Sequence, residues 1–553
     1  MGKKGLLTPF GEGVSSFFDE YPRPSFVRDS FINLNGEWEL RDGVNKGKII
    51  VPFSPESILS GIEFDVSEAL TYKRTFLIPS DFNRGRILVY FGAVDAEAKV
   101  FINGKEAGYH TGGYNSFSFD ITELVSVGEN EITVKVLDTL DCELPYGKQS
   151  HKRGGMWYTK ISGIWKSVFI ESVPREYIKR LEITPRLDGV NIKIEGNIDA
   201  KAEKLLKYEG GEVHFFSNEL DLKIENGEYW TPENPRLYEF TLTAGEDEVR
   251  SYFALRTIKA EGGQLYLNGV PYFFHGLLDQ GYYSDGIYTP ATPEGYKYDI
   301  LLAKSLGFNM LRKHIKVEPD IFYYYCDKYG MAVFQDFVNS GKYNFFIDTA
   351  LPTVGLKRGI THRASPYRRE MFERCSEETV TELYNHPSVV YYTVFNEGWG
   401  QYDADRLYKK FKAMDSTRVY DATSGWFFER ESDVDSHHVY FKKISLKKKR
   451  RPLVLSEFGG YSVSVEGHRY NEKKTYGYKI FKTTEEFENA LVRLYEDEVI
   501  PAVRSGLSAS VLTQLSDVED ETNGLVTYDR RVVKVTKEKM LHIRELIDRE
   551  FKS

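Results

Sequence analysis

VVYYTVFNEGWGQYDADRLYKKFKAM, residues 389–414, holds a strand, a glycine-punctuated turn and a helix in succession. Val389–Phe395 is a strand-length apolar run without alternation, the pattern of a strand buried on both faces. Asp403–Met414 has helical spacing, and Gly398 and Gly400 lie between the two. The same grammar extends outward in both directions. Tyr272–Phe274 precedes a helical stretch at Pro293–Leu306, Met310–Leu311 one at Pro319–Tyr329, and Ala332–Phe334 one at Tyr367–Tyr384. Beyond residue 414 come Val419–Thr423, His438–Tyr440, Leu453–Leu455 with a helix at Thr484–Glu498, and Ser508–Leu515 with a helix at Thr536–Phe551. Eight strands, mostly followed by helices, predict a C-terminal (β/α)8 barrel, a TIM barrel, over 261–553. A doubly wound open sheet would want a glycine-rich phosphate turn after its first strand, and His275-Gly-Leu-Leu-Asp-Gln-Gly281 is not one. The stretch 338–366 is longer than an ordinary loop, as expected of a segment shaping a functional site.

Before Gly262-Gly263 the reading is all β. Glu37–Leu40, Tyr72–Ile78, Arg86–Phe91, Ala98–Ile102, Ser116–Asp120 and Glu131–Leu137 are short runs rich in β-branched and aromatic residues. Asn103-Gly104 between apolar runs marks a hairpin. These predict an N-terminal jelly-roll β-sandwich over 1–175. Ile178–Pro185, Val190–Ile198, Glu212–Phe216, Tyr238–Thr243 and Val249–Ile258 predict an Ig-like β-sandwich over 176–260, with the lysine-rich 199–211 weakly patterned. The expected fold class is therefore multidomain β plus α/β.

Composition narrows the partners. A net charge of −9 over 553 residues argues against a nucleic-acid binder. The basic run from Lys442 to Arg451 reads as a solvated approach to the strand at Leu453. Three separated cysteines form neither a disulfide framework nor a CxxC pattern. No metal-ligand spacing appears, so neither metal nor cofactor is expected. With no apolar leader and no apolar run of about 18 residues, the expectation is a cytoplasmic protein with no membrane contact. Aromatics are abundant, 38 Tyr and 36 Phe, for which packing is the first explanation and sugar binding the alternative.

In a barrel of this kind functional residues sit at the C-terminal ends of the strands. Val389–Phe395 runs into Asn396-Glu397, and Leu453–Leu455 runs through Ser456 into Glu457. A carboxylate ending a buried strand is costly without a purpose. Two of them facing each other across the barrel mouth have the geometry of glycosidic cleavage, where one protonates the leaving oxygen and the other attacks the anomeric carbon. Two structural carboxylates paired to Arg or Lys are the alternative.

VFNEGWGQ (394–401) and LSEFGG (455–460) resemble the acid/base and nucleophile motifs of glycoside hydrolase family 2, the family of β-galactosidases and β-glucuronidases. FINLNGEWEL (31–40), YTKISGIWKSVFIE (158–171), PENPRLYEFTL (232–242) and LYLNGVPYFFHG (265–276) resemble further stretches of that family, in its order. The resemblance implies Glu397 as general acid/base and Glu457 as nucleophile. It also implies Asn396 on the sugar 2-hydroxyl, Tyr440 donating to the nucleophile and Arg312 holding it charged. A core Tyr and a surface Arg remain the alternatives for the last two.

The departures bear on substrate. Arg312-Lys313-His314-Ile315 differs from the family's Arg-x-x-His, which shifts His314 from its usual place. No Trp follows the eighth strand, where Thr513 and Gln514 stand, so Trp426 becomes the candidate sugar platform, with a core role as the alternative. Asn523-Gly524-Leu525 lacks the lysine with which β-glucuronidases of the family grip a carboxylate. Asp279, with Gln280, and Asp336 are candidate pocket residues, with loop capping as the alternative. The expected function is a retaining exo-acting hydrolase of a terminal neutral sugar, a β-galactosidase first. α-L-Arabinofuranosidase, β-galactofuranosidase and β-glucuronidase are the enzymatic alternatives, and a non-catalytic carbohydrate-binding protein is the alternative of another class. An oligosaccharide or glycoside is the expected partner, with a homo-oligomer left open.

Overall fold

The computed structural model describes residues 5–14, 17–63, 66–353, 356, 363–448 and 450–552. Lys449 of the basic run and part of the 338–366 stretch lie outside them. The N-terminal sandwich has two antiparallel sheets. One runs, in spatial order, through Asn45–Val51, Gly36–Asp42, Ala69–Ile78, Gly128–Leu137, Glu97–Ile102 and Lys105–Thr111; the other through Phe31–Asn33, Val168–Val173, Arg86–Phe91 and Phe117–Asp120. Alternate residues of the facing strands, among them Tyr72, Phe76, Val89, Phe91, Ile132 and Val134, fill one core. The Asn103-Gly104 hairpin is present, both residues at positive φ, 49° and 78°.

The middle sandwich packs Ile178–Pro185, Gly189–Gly196 and Glu219–Lys223 against Gly211–Phe215, Lys204–Tyr208, Tyr238–Ala244 and Asp247–Phe253. The stretch read as weakly patterned thus contains an interior strand. Lys204 tolerates burial there because its ammonium donates to the carbonyls of Asp199, Ala200 and Ala202 at 3.0, 3.2 and 2.9 Å.

The C-terminal region is a near-closed parallel barrel. Its strands are β1 Phe274–Asp279, β2 Met310–Lys313, β3 Ala332–Asp336, β4 Val389–Asn396, β5 Val419–Ser424, β6 Asp435–Val439, β7 Leu453–Gly459 and β8 Leu507–Thr513. They pair in the order β5-β4-β3-β2-β1-β8-β7-β6. β5 and β6 come together at Gly425, where a Cβ would lie 2.4 Å from the His438 ring. Every residue of β4 is buried. Val390 and Tyr391 join the barrel interior with Phe274, Leu278, Met310, Phe334 and Val454, while Val389, Tyr392, Val394 and Phe395 join the layer under the helices.

Two strands are displaced from expectation. β1 begins where it was expected to end, and β6 stops at Val439, leaving Tyr440 just beyond it. Gly276 within β1 marks a close approach: a Cβ there would sit 2.4 Å from the Met310 side chain. Among the described residues no helix is long and apolar enough to cross a membrane.

Candidate active site

Period-two alternation decides which strand-end residues face the barrel axis. Arg312 is paired with Leu278 of β1 and Phe334 of β3, both interior residues, and so reaches inward. Its guanidinium, 1% exposed, ties four strands together: Nε donates to Asp336 Oδ1 at 3.0 Å, Nη1 to Glu457 Oε1 at 3.0 Å and to the Ser456 carbonyl at 2.9 Å, and Nη2 to Asn396 Oδ1 at 2.8 Å. Because a guanidinium only donates, the Asn396 oxygen must face it, which turns the Asn396 amide NH2 the other way.

Glu397 follows β4 in a left-handed backbone, φ 52°. That conformation costs a residue with a Cβ about 1–2 kcal/mol and here swings the carboxyl back over the strand end. Gly398 and Gly400 complete the turn. A Cβ on Gly400 would lie 2.0 Å from the Ser340 carbonyl oxygen, so the spacing in NEGWG is sterically dictated. Glu457 sits late in β7, opposite His438. One oxygen of Glu397, one of Glu457 and a ring nitrogen of His438 all lie within 4.8 Å of one another. These three donors could hold a cation by distance, but they are the same groups that stand at the ends of β4, β6 and β7.

Glu457 is the most heavily supported group. Tyr440 donates to its Oε2 at 2.5 Å, Arg312 to its Oε1, and His438 Nδ1 is 3.5 Å from Oε2. Burial pushes its pKa up, but the positive groups around it, His438 and Arg312 foremost, bring it down to about 2. Burial and the Glu457 charge hold the Tyr440 phenol well above its ordinary value, so it stays a donor. Its hydroxyl also lies 2.9 Å from the Thr513 hydroxyl.

His438 escaped the sequence reading. Its Nδ1 is 2.9 Å from Glu397 Oε1, and its Nε2 lies 2.9 Å from the Ser424 hydroxyl and 3.3 Å from Arg312 Nη1. Its Nδ1 faces both carboxylates, 2.9 Å from Glu397 Oε1 and 3.5 Å from Glu457 Oε2, and is placed to donate to them.

Two expected pocket residues are placed differently. Asp279 follows the inward Leu278 and so faces outward, with Oδ2 at 2.7 Å from Lys313 Nζ and Oδ1 accepting from the Gly281 N–H at 2.9 Å. Asp336 does face inward, but its oxygens are taken by Arg312 and by His314 Nδ1 at 2.9 Å, so it braces those two residues. Burial pushes its pKa up, yet Arg312 and His314 hold it below the ordinary carboxylate value. His314 is kept down by burial and Lys148; neutral, with Nδ1 on Asp336, it turns Nε2 outward as an acceptor. Trp426 is half-buried and meets His438 edge-on at 6.4 Å, beside the carboxylates.

The N-terminal sandwich supplies part of the wall. Trp157 packs edge-on against Trp399, two residues after Glu397, at 5.0 Å and against Tyr343 at 5.5 Å. Tyr146 donates its backbone N–H to the Asn339 carbonyl at 3.0 Å. Tyr158 hydrogen-bonds Glu521, and Glu521 accepts from Asn523, Asn523 from Gln514, and Gln514 from Gln280, the last three at 2.9, 2.8 and 2.9 Å. That buried chain engages Gln280, Gln514 and Asn523 alike.

Comparison with known proteins gives three adjoining matches. The sugar binding domain of the glycosyl hydrolases family 2 matches residues 32–174, a second model described as glycosyl hydrolases family 2 matches 179–256, and the family's TIM barrel domain matches 258–545. A putative β-glucuronidase of Formosa agariphila is 24% identical over 457 residues, 71% of this chain and 50% of its own. A β-galactosidase of Aeromonas hydrophila is 26% identical over 453 residues, 71% of this chain and 42% of its own. The chain thus spans half or less of the length of these curated relatives. A β-D-glucuronidase structure from Dictyoglomus thermophilum superposes with a TM-score of 0.77 at 21% identity, covering 96% of this chain and 98% of that one. A β-galacturonidase structure from Eisenbergiella tayi gives 0.71 at 19% identity, covering 96% and 99%.

Proposed function

Since the chain belongs to glycoside hydrolase family 2, we propose that it removes a terminal β-linked sugar from a glycoside by double displacement, with Glu457 as nucleophile and Glu397 as general acid/base. The observation that carries this reading is the approach of the two carboxylates within 4.8 Å from β4 and β7. Retaining enzymes hold theirs about 5–5.5 Å apart, whereas inverting ones leave about 6.5–9.5 Å for a water.

The first step needs an ionised Glu457, and its low pKa keeps it so across the neutral and mildly acid range. Its carboxylate attacks the anomeric carbon while Glu397 delivers a proton to the departing oxygen. The glycosyl ester removes the negative charge at Glu457, which makes Glu397 a better base for the water that completes turnover. The outward-turned Asn396 amide is placed to donate to the sugar 2-hydroxyl. Trp426 and Trp157 offer aromatic faces at the rim.

For the glycon, a terminal β-galactoside is one reading, supported by the β-galactosidases among the relatives and by the segment Asn523-Gly524-Leu525, which holds no lysine. A second reading, an acidic sugar, is favoured by the positive charge of Lys148, which acts on Glu457, and by the β-glucuronidases among the relatives and neighbours.

The test is Glu457→Gln and Glu397→Ala on nitrophenyl glycosides, with the product anomer followed by NMR. Glu457→Gln abolishes turnover. Glu397→Ala keeps activity on good leaving groups and recovers with azide, and the first-formed sugar retains its configuration. An inverted product would refute the mechanism.

A further inference from the structure

The proposed reaction leaves one charged group near the nucleophile without a task. Lys148 belongs to the N-terminal sandwich, on a backbone fixed from both sides. Tyr146 is bonded to Asn339 of the barrel, and a Cβ on Gly147 would lie 3.0 Å from the Ile315 carbonyl oxygen and 2.8 Å from the Tyr114 hydroxyl. The Lys148 carbonyl accepts from the Tyr158 N–H at 3.1 Å. Gln149 is locked by donating to Asp95 at 2.7 Å and accepting from the Ile161 N–H at 2.8 Å.

From this anchored position the half-buried Lys148 side chain passes the Tyr158 ring, 5.9 Å from its centroid. Its charge is felt at Glu457 of β7, at His314 after β2 and at Glu521 after β8. Glu457 is one of the two carboxylates that approach within 4.8 Å of each other. Other cations around the barrel are already committed: Arg312 to Asp336 and Glu457, Lys313 and Lys316 to Glu318, and Lys534 to Asp517. The Lys148 ammonium makes no hydrogen bond or ion pair with any described residue, so its three donors are uncommitted.

We infer that Lys148 selects the glycon, by donating to the carboxylate of a terminal β-linked hexuronosyl residue seated against Glu457. A bound uronate brings a second negative charge beside Glu457 and Glu521. Without a cation that charge is repelled, and an ammonium held in place by a rigid loop offsets it with little ordering cost. A cation from the neighbouring domain thereby meets the need that the segment after β8, Asn523-Gly524-Leu525, does not.

This inference rests on the proposed reaction, so its test separates the two. Wild type, Lys148→Met and Lys148→Arg are compared on nitrophenyl β-glucuronide, β-galacturonide, β-glucoside and β-galactoside. The expected result is a wild-type preference for a uronide over its neutral counterpart. Lys148→Met then loses about 30- to 100-fold in kcat/KM on the uronide, mostly through KM, and stays within about 3-fold on neutral sugars. Lys148→Arg restores most of the uronide activity. Calorimetry with glucuronate and galacturonate on Glu457→Gln, with and without Lys148→Met, gives a readout independent of turnover. Retained-configuration hydrolysis that favours neutral sugars would overturn the Lys148 assignment and leave the reaction standing. So would an equal loss on every glycon, which marks Lys148 as a counter-charge to Glu457 alone.

Discussion

Replacing Arg312 with Met removes the one group that binds Asp336, Asn396 and Glu457 together. Two carboxylates then remain buried with fewer partners, and breaking such a pair costs about 3–5 kcal/mol of stability. The chemical effect is separable from that loss. Arg312 is among the main groups holding the Glu457 pKa near 2 against burial. Without it burial gains ground, and a return to the ordinary 4.5 corresponds to roughly 3 kcal/mol. Because the folded value is depressed, the stability contributed by ionised Glu457 is present above 4.5 and is lost as pH falls toward 2; in the variant that loss begins at higher pH. Losing one preorganised charge from the transition state lowers kcat by about 100- to 1000-fold. The assay is kcat/KM against pH from 3 to 8 on a nitrophenyl glycoside, with thermal melting in parallel. Arg312→Lys serves as the variant that keeps the charge and folds if Met does not. The acid limb moves up by at least one pH unit in Met and by less in Lys. An unmoved limb with activity within about 3-fold of wild type would refute the network as the source of the nucleophile's charge.

Three further outcomes follow from named contacts. Tyr440→Phe takes a donor from Glu457 Oε2 and one partner from Thr513; kcat falls about 10- to 100-fold with melting shifted by only a few degrees. His438→Asn breaks the contact with Glu397 and raises the Glu457 pKa, so the acid limb shifts upward and the rate falls about 10- to 100-fold. Trp157→Ala removes an edge-on contact from Trp399; KM rises several-fold with little change in kcat, and a kcat loss instead would place Trp157 in the reacting geometry.

Glu397, Glu457, Asn396 and Arg312 were legible because each stands at or close to the C-terminal end of a buried strand, where a polar side chain has few reasons to be. Asp279 was misplaced by the same logic. With the first strand set several residues early, Asp279 reads as a pocket residue, with loop capping as the alternative, while in the structure it alternates outward behind Leu278, meets Lys313 and accepts from the Gly281 N–H. His438 was hidden by its neighbour: two adjacent histidines point to opposite faces of a strand, and only the pairing with β7 settles which one turns inward. Trp157 and Lys148 could not be read at all. Periodicity assigns them to a sandwich, and no local pattern says that a loop of one domain rests on the mouth of another.

That resting contact carries an evolutionary consequence. The carboxylates proposed to break the bond stand on the barrel, while the contact around Trp157 belongs to a different folding unit. Drift in the sandwich can therefore retune which glycosides are accepted without touching any reacting group. Under the proposed reaction, exchanging the first domain between relatives becomes a route to new selectivity.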